Sequence, residues 1–164
     1  MVVASRRYFF PPDEGFTTSN ADAKFVVKRN SDAYDPFYAN IYNRIFEPSK
    51  MAETVAEFVI SFTQSNPARS IMLDVGAGTG EQMIYIQSRG FRVYGVDSSQ
   101  DMVDYALEQH PDINLKVGNV EQPMLYDKAT FTHILCTGID SALYHIKDKQ
   151  KFFTNCYHFL KMDI

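Results

Sequence analysis

The chain has 164 residues, of which 45% are apolar and 22% charged, and a formal net charge of −4. That is enough for one domain with a real core, in the composition range of ordinary soluble proteins. It excludes an electrostatic footprint for nucleic acid and a membrane span of roughly 20 apolar residues, so a nucleic-acid or membrane partner is not expected.

Thirteen Phe and ten Tyr with no Trp make the core, or its pocket, unusually aromatic. The two cysteines, Cys136 and Cys156, fit neither a disulfide scaffold nor a metal cluster, and read as small buried residues in a reducing compartment. No metal is expected. Arg6 and Arg7 interrupt the N-terminal apolar stretch and Pro11-Pro12 follow, which argues against a signal peptide and for a soluble, cytoplasmic protein.

In chain order, residues 1–33 carry Pro11-Pro12, Gly15 and a Thr-Thr-Ser-Asn run without sustained periodicity, and read as an irregular arm. Residues 34–66 follow as a helical, aromatic segment. Tyr34, Tyr38, Ile41 and Ile45, with Phe37, recur at helical spacing, and Pro48-Ser49 opens a second helix over 50–63 with Val55, Phe58, Val59 and Phe62 on one face. From residue 67 the pattern alternates. Strand 71–75 is followed by helix 80–89, strand 92–96, a helix ending at 109 before Pro111, strand 114–118, strand 131–136 and helix 148–160. Ser98 or Ser99 is placed to cap the helix ending at 109, with Asp101 three residues after Ser98 as in a capping box. Strands separated by helices imply an α/β domain with a parallel sheet and right-handed crossovers.

The most informative stretch is Leu73-Asp74-Val75-Gly76-Ala77-Gly78-Thr79-Gly80-Glu81. A strand ends in an acid and enters a turn with glycine at every second position, then a helix. Such turns bring backbone close to a nucleotide-like ligand. A dinucleotide fingerprint would need its third glycine at position 81, where Glu81 stands instead, and an acid at a helix start repels a diphosphate.

The hydrophobic-Asp-hydrophobic-Gly-x-Gly-x-Gly run from Leu73 to Gly80 resembles the first motif of the class I S-adenosylmethionine-dependent methyltransferases. The resemblance implies a Rossmann-like fold and S-adenosylmethionine as cofactor, with S-adenosylhomocysteine as product after direct in-line methyl transfer to oxygen, nitrogen or carbon. It implies that Gly76, Ala77, Gly78 and Gly80 form the loop on the methionine side, and that Asp74 lies beneath it near the methionyl ammonium. Asp97, with Ser98 after it, would hold the ribose; a helix cap is the plainer role for Asp97. Met102 would pack on adenine, or simply belong to the core. Asn119 and Val120 would read the adenine edge, although an Asn after Gly118 also suits a turn.

Beyond the strand at 131–136, Cys136 would border the cofactor, and Asp140, Tyr144 and His145 are candidate catalytic groups at the edge facing the methyl and its acceptor. His145 has the chemistry of a base near neutral pH, yet a lone His in a loop commonly only packs. Tyr38 and Tyr42 of the aromatic segment are candidate lid residues, since aromatic faces attract a sulfonium by cation–π forces of roughly 0.5–2 kcal/mol.

Relative to the full fold, residues 67–164 would supply strand order 3-2-1-4 and lack the last three strands. That would leave strand 131–136 as a long apolar edge, so either the sequence is a piece of a longer chain or the edge is covered by the arm, another copy or a partner chain. A competing expectation is therefore a non-catalytic, methyltransferase-like structural or regulatory subunit that uses this edge as an interface. For the enzyme, the acidic charge and aromatic lid favour a small-molecule acceptor, with a protein acceptor as the alternative.

Overall fold

A computed structural model describes residues 28, 30–122, 125–137 and 147–161. The chain divides into two compact units, Met1–Ala33 and Tyr34–Ile164. Of the first, the described part is Lys28 and a 3-10 turn, Asn30–Ala33.

The second unit opens with two helices separated by one residue. Helix α1, Pro36–Phe46, starts where Asp35 accepts a hydrogen bond from the Tyr38 N–H at 2.8 Å, with Pro36 at the first helical position. Glu47, in the left-handed region at φ 42°, ends α1 and starts α2, Pro48–Phe62. The second helix begins at its proline, two residues before the expected start, because proline's fixed φ suits a first turn.

Of the apolar face expected on α2, Val59 packs against the core, but Phe58 and Phe62 do not. Ala52 and Ala56 are its buried residues, whereas Phe58 and Phe62 are 63% and 75% exposed and stack on each other with ring centroids 5.5 Å apart. Small residues at the contact let α2 approach α3, Glu81–Ser88, and leave the two large rings outside.

Four parallel strands form the sheet: β1 (Ile71–Val75), β2 (Arg92–Asp97), β3 (Asn114–Val117) and β4 (His133–Leu135), in the order β3-β2-β1-β4. Side-chain alternation along β1 divides the core between two faces. Met72 packs with Met83 and Ile86 of α3, and with Val103 and Ala106 of α4 (Gln100–Gln109). Leu73 and Val75 pack with Phe152, Cys156 and Phe159 of α5 (Lys149–Phe159).

Strand β4 is shorter than the 131–136 read from the sequence. The Thr132 hydroxyl accepts the Ile71 N–H at 2.8 Å, so a side chain replaces part of the ladder there. Phe131 instead forms a parallel bridge with Leu160: its N–H donates to the Phe159 carbonyl at 3.0 Å and its carbonyl accepts the Lys161 N–H at 2.7 Å. The start of this edge is thus taken up by the chain leaving α5.

Among the described residues no helix is long and apolar enough to cross a membrane. Among them, too, no group of three or more His, Cys, Asp or Glu stands close enough to hold a metal.

Candidate functional site

The glycine turn between β1 and α3 occupies the C-terminal edge of the sheet, where parallel α/β sheets bind ligands. Gly76, Gly78 and Gly80 have φ of +77°, +55° and +80°. Gly80 is doubly constrained, because a Cβ there would also stand 2.8 Å from Ile113 Cδ1. At Gly76 the corresponding direction meets nothing within 4 Å, so the backbone there is open to a ligand.

The turn is fastened from β2. Gly76 and Ala77 donate N–H bonds to the Val96 carbonyl at 2.8 and 3.2 Å, and Gly78 donates to Asp97 Oδ2 at 2.9 Å. Asp97 Oδ1 accepts the Ser99 N–H at 2.8 Å. Burial raises the Asp97 pKa, while the N–H groups of Ser99, Gly78 and Ser98 pull it back. A carboxylate offers about four acceptor positions, so capacity remains for a ligand hydroxyl. Ser99, not Ser98, caps α4: its hydroxyl accepts the Met102 N–H at 3.2 Å and donates to the Tyr34 carbonyl at 2.9 Å. Ser98 is exposed.

Asp74 lies beneath the turn, 1% exposed, and its Oδ1 has no hydrogen-bond partner. Burial, and secondarily the Asp97 charge, raise its pKa to about 7. Cys136, half-buried at the exit of β4, has its thiol pushed up to about 11 by burial and then by the Asp74 charge. Gln82, in the first turn of α3, accepts the Thr137 hydroxyl on Oε1 at 2.6 Å, and its buried Nε2 lacks a partner. Sequence reasoning missed Gln82. Its only signal was a polar residue where the helix turns its face toward the sheet.

The aromatic helix is joined to the turn by side chains. Asn43 Oδ1 accepts the Thr79 hydroxyl at 2.7 Å, and Asn43 Nδ2 donates to Glu81 Oε1 at 2.8 Å. The Ser49 hydroxyl donates to the other Glu81 oxygen at 3.0 Å. Along α1 the rings of Tyr34, Tyr38, Tyr42 and Phe46 follow one another with centroid separations of 5.3, 5.6 and 5.0 Å. Burial, then Tyr34 and Asp97, raise the Tyr42 pKa, so Tyr42 and the Asp97 carboxylate share one neighbourhood. Phe37, counted in the stripe from its spacing, is 71% exposed and lies off it.

On the far side of Asp97, Met102 is buried, with its Cε 3.4 Å from where a Gly78 Cβ would stand. Asn119 is exposed and forms a turn, its Oδ1 accepting the Glu121 N–H at 2.8 Å. Val120 is buried, and its carbonyl accepts Asn155 Nδ2 at 2.7 Å. Asp140, Tyr144 and His145 lie outside the described residues.

S-adenosylmethionine brings ribose hydroxyls, an ammonium, a carboxylate and a sulfonium. The residues present fit it: spare acceptor capacity on Asp97, an unpartnered buried carboxylate oxygen on Asp74, an unpartnered buried donor on Gln82, open backbone at Gly76 and aromatic rings near Asp97.

Comparison with known proteins agrees. The family model described as a methyltransferase domain matches residues 72–163, more than half of the chain. The biotin biosynthesis bifunctional protein BioHC of Cellvibrio japonicus is 31% identical over 61 residues, which cover 37% of this chain and 12% of that protein.

Two solved structures share the fold. One, described as an S-adenosyl-L-methionine-dependent methyltransferase of Methanococcus maripaludis, superposes with a TM-score of 0.69 at 19% identity, covering 82% of this chain and 63% of that one. The other, geranyl diphosphate C-methyltransferase of Streptomyces coelicolor with S-adenosyl-L-homocysteine bound, gives a TM-score of 0.54 at 22% identity over 66% of this chain and 40% of that one. The chain thus spans less than two thirds of the length of each of these relatives. With the glycine turn, the 3-2-1-4 sheet and the family match together, the chain belongs to the class I S-adenosylmethionine-dependent methyltransferases.

Proposed function

We propose that this chain binds S-adenosylmethionine at the C-terminal edge of its sheet and transfers the methyl group to a nucleophile of a small molecule. The observation that carries the reading is the Gly78–Asp97 bond, which fixes the glycine turn against an acid at the end of β2. When bound, S-adenosylmethionine supplies a methyl group made electrophilic by its sulfonium.

The chain's own residues then have separable tasks. Asp97 accepts ribose hydroxyls while holding the turn, and Asp74 offsets the positive ammonium. Asn119 and Val120 meet the adenine edge, Met102 backs its face, and Cys136 borders the methyl side. Tyr38 and Tyr42 shield the cofactor from water as a lid. Asp140, Tyr144 and His145 remain proposed acceptor-side groups, with His145 as the proton acceptor.

The organisation proposed is an N-terminal arm over 1–33, a lid segment over 34–66 and a cofactor domain over 67–164. The acidic net charge and the aromatic helix support a small-molecule acceptor over a nucleic acid. The runner-up is a non-catalytic subunit that offers the edge of β4 to another chain, favoured by His133–Leu135 standing at the margin of the described sheet.

Calorimetric titration of the chain with S-adenosylhomocysteine separates the two. Micromolar binding is expected for the enzyme. A folded sample that binds no S-adenosylhomocysteine would favour the subunit.

A further inference from the structure

We propose that the side-chain amide of Gln82 recognises the α-carboxylate of the cofactor's amino-acid end, paired with Asp74, which takes the ammonium. This rests on the S-adenosylmethionine reading above and adds a residue that neither the motif nor the family match assigns.

Gln82 is 7% exposed, and its two polar atoms are treated unequally. Oε1 is held by the Thr137 hydroxyl at 2.6 Å, while Nε2 is buried without a partner. With Oε1 on the Thr137 hydroxyl, the donor end of the amide is the free one. An unmade buried hydrogen bond is costly, and a leucine would fill similar space without that cost. An orphan donor held in place is the mark of a group whose partner is a ligand.

The second orphan is Asp74 Oδ1, and the register puts it on the same face. Asp74 is paired with Leu135 across β1 and β4. Met72 and Leu135 both pack in the cluster that holds Met83 and Ile86 of α3. Side chains two apart on a strand share a face, so Asp74 continues the Met72 face and Thr137 continues the Leu135 face just past the strand end. The Gln82–Thr137 bond ties α3 to that exit. An unpartnered acceptor over β1 and an unpartnered donor at the exit of β4 thus occupy one edge, under the glycine turn.

Their chemistry is complementary to a zwitterion. A carboxylate oxygen takes an ammonium, and an amide nitrogen donates to a carboxylate. Of the cofactor's parts, only the amino-acid end carries both groups. Every described Lys and Arg is exposed, so none is a buried cation competing for that carboxylate. A neutral amide fills the role beside two acids.

The test titrates wild type, Gln82→Leu and Gln82→Glu with S-adenosylhomocysteine, with its decarboxylated analogue (ammonium but no carboxylate) and with 5′-methylthioadenosine (neither). Gln82→Leu should lose about ten- to hundredfold in affinity for S-adenosylhomocysteine, the range for a hydrogen bond to a charged group. The other two ligands should stay within about twofold, while thermal unfolding reads separately the loss of the Thr137 bond, which the variant removes together with the orphan amide nitrogen. Gln82→Glu retains an oxygen for Thr137 and should bind S-adenosylhomocysteine more weakly than wild type while keeping the decarboxylated analogue.

Equal weakening toward all three ligands, or unchanged binding of S-adenosylhomocysteine, would overturn the assignment of Gln82 alone. Wild type that binds none of the three would overturn the cofactor reading beneath it.

Discussion

The Gly78 N–H donates to the Asp97 carboxylate at 2.9 Å, tying the centre of the glycine turn to the end of the neighbouring strand. Asp97 thus shapes the turn, and in the function proposed above it also presents its remaining acceptor capacity to the ribose. Asp97→Ala should weaken S-adenosylhomocysteine binding by about 1.5–3 kcal/mol, the range for hydrogen bonds to a charged group. Because the ribose is common to both ligands, 5′-methylthioadenosine should lose a similar amount. Calorimetric titration of the variant with each ligand checks this.

Asp74 gives the fold a pH dependence with a defined sign. Its pKa rises from 3.8 to about 7 on folding, so between those values the folded protein keeps a proton that the unfolded chain has released. Unfolding free energy should therefore fall as pH rises from about 4 to 7, by at most about 1.4 kcal/mol per pH unit from this group. Asp97, also raised, adds in the same direction. Asp74→Asn should flatten the profile in denaturant titrations.

The same shift bears on the ligand. An ammonium beside Asp74 favours its charged form, so binding near pH 7 should release protons, and affinity should rise as pH increases through that range. Calorimetry in buffers of differing ionisation enthalpy measures the release.

Asn43 joins the aromatic helix to the glycine turn, accepting from Thr79 and donating to Glu81. Thr79 is 3% exposed, so Asn43→Ala strands a buried hydroxyl. The expected cost is about 1–3 kcal/mol in thermal unfolding, with faster amide exchange across residues 76–80. Asn43→Asp should be worse, because it sets a second carboxylate against Glu81.

Gly95, inside β2, is required by packing. A Cβ there would collide with Met83 Sδ and stand 2.8 Å from Leu115 Cδ1, both residues being buried. Gly95→Ala should destabilise by about 1–3 kcal/mol, read as a lower Tm.

Much of this was legible in the chain because the signals were local. Leu73 to Gly80 carries strand, turn and helix within one run, and Asp35-Pro36 and Pro48 mark helix starts in two residues each. What could not be read depends on partners distant in sequence. Phe58 and Phe62 have the spacing of a core face, yet Ala52 and Ala56 make the contact, since closeness to α3 decides which side is buried. The strand read over 131–136 is shortened by a Thr132 hydroxyl that inserts at Ile71, and by Leu160 arriving beside Phe131. Gln82 has no site signal in the chain itself, since its partner Thr137 lies 55 residues away. Asn119 suits both a turn and the adenine edge, and its bond to the Glu121 N–H forms the turn without using all its acceptor capacity.

The most direct measurement is a crystal structure of the chain with S-adenosylhomocysteine bound. The expected result keeps the Gly78–Asp97 bond and places both ribose hydroxyls within about 2.6–3.2 Å of the Asp97 carboxylate, with the ammonium at Asp74. A ligand seated elsewhere, or a ribose turned away from Asp97 while the glycine turn keeps its shape, would contradict it.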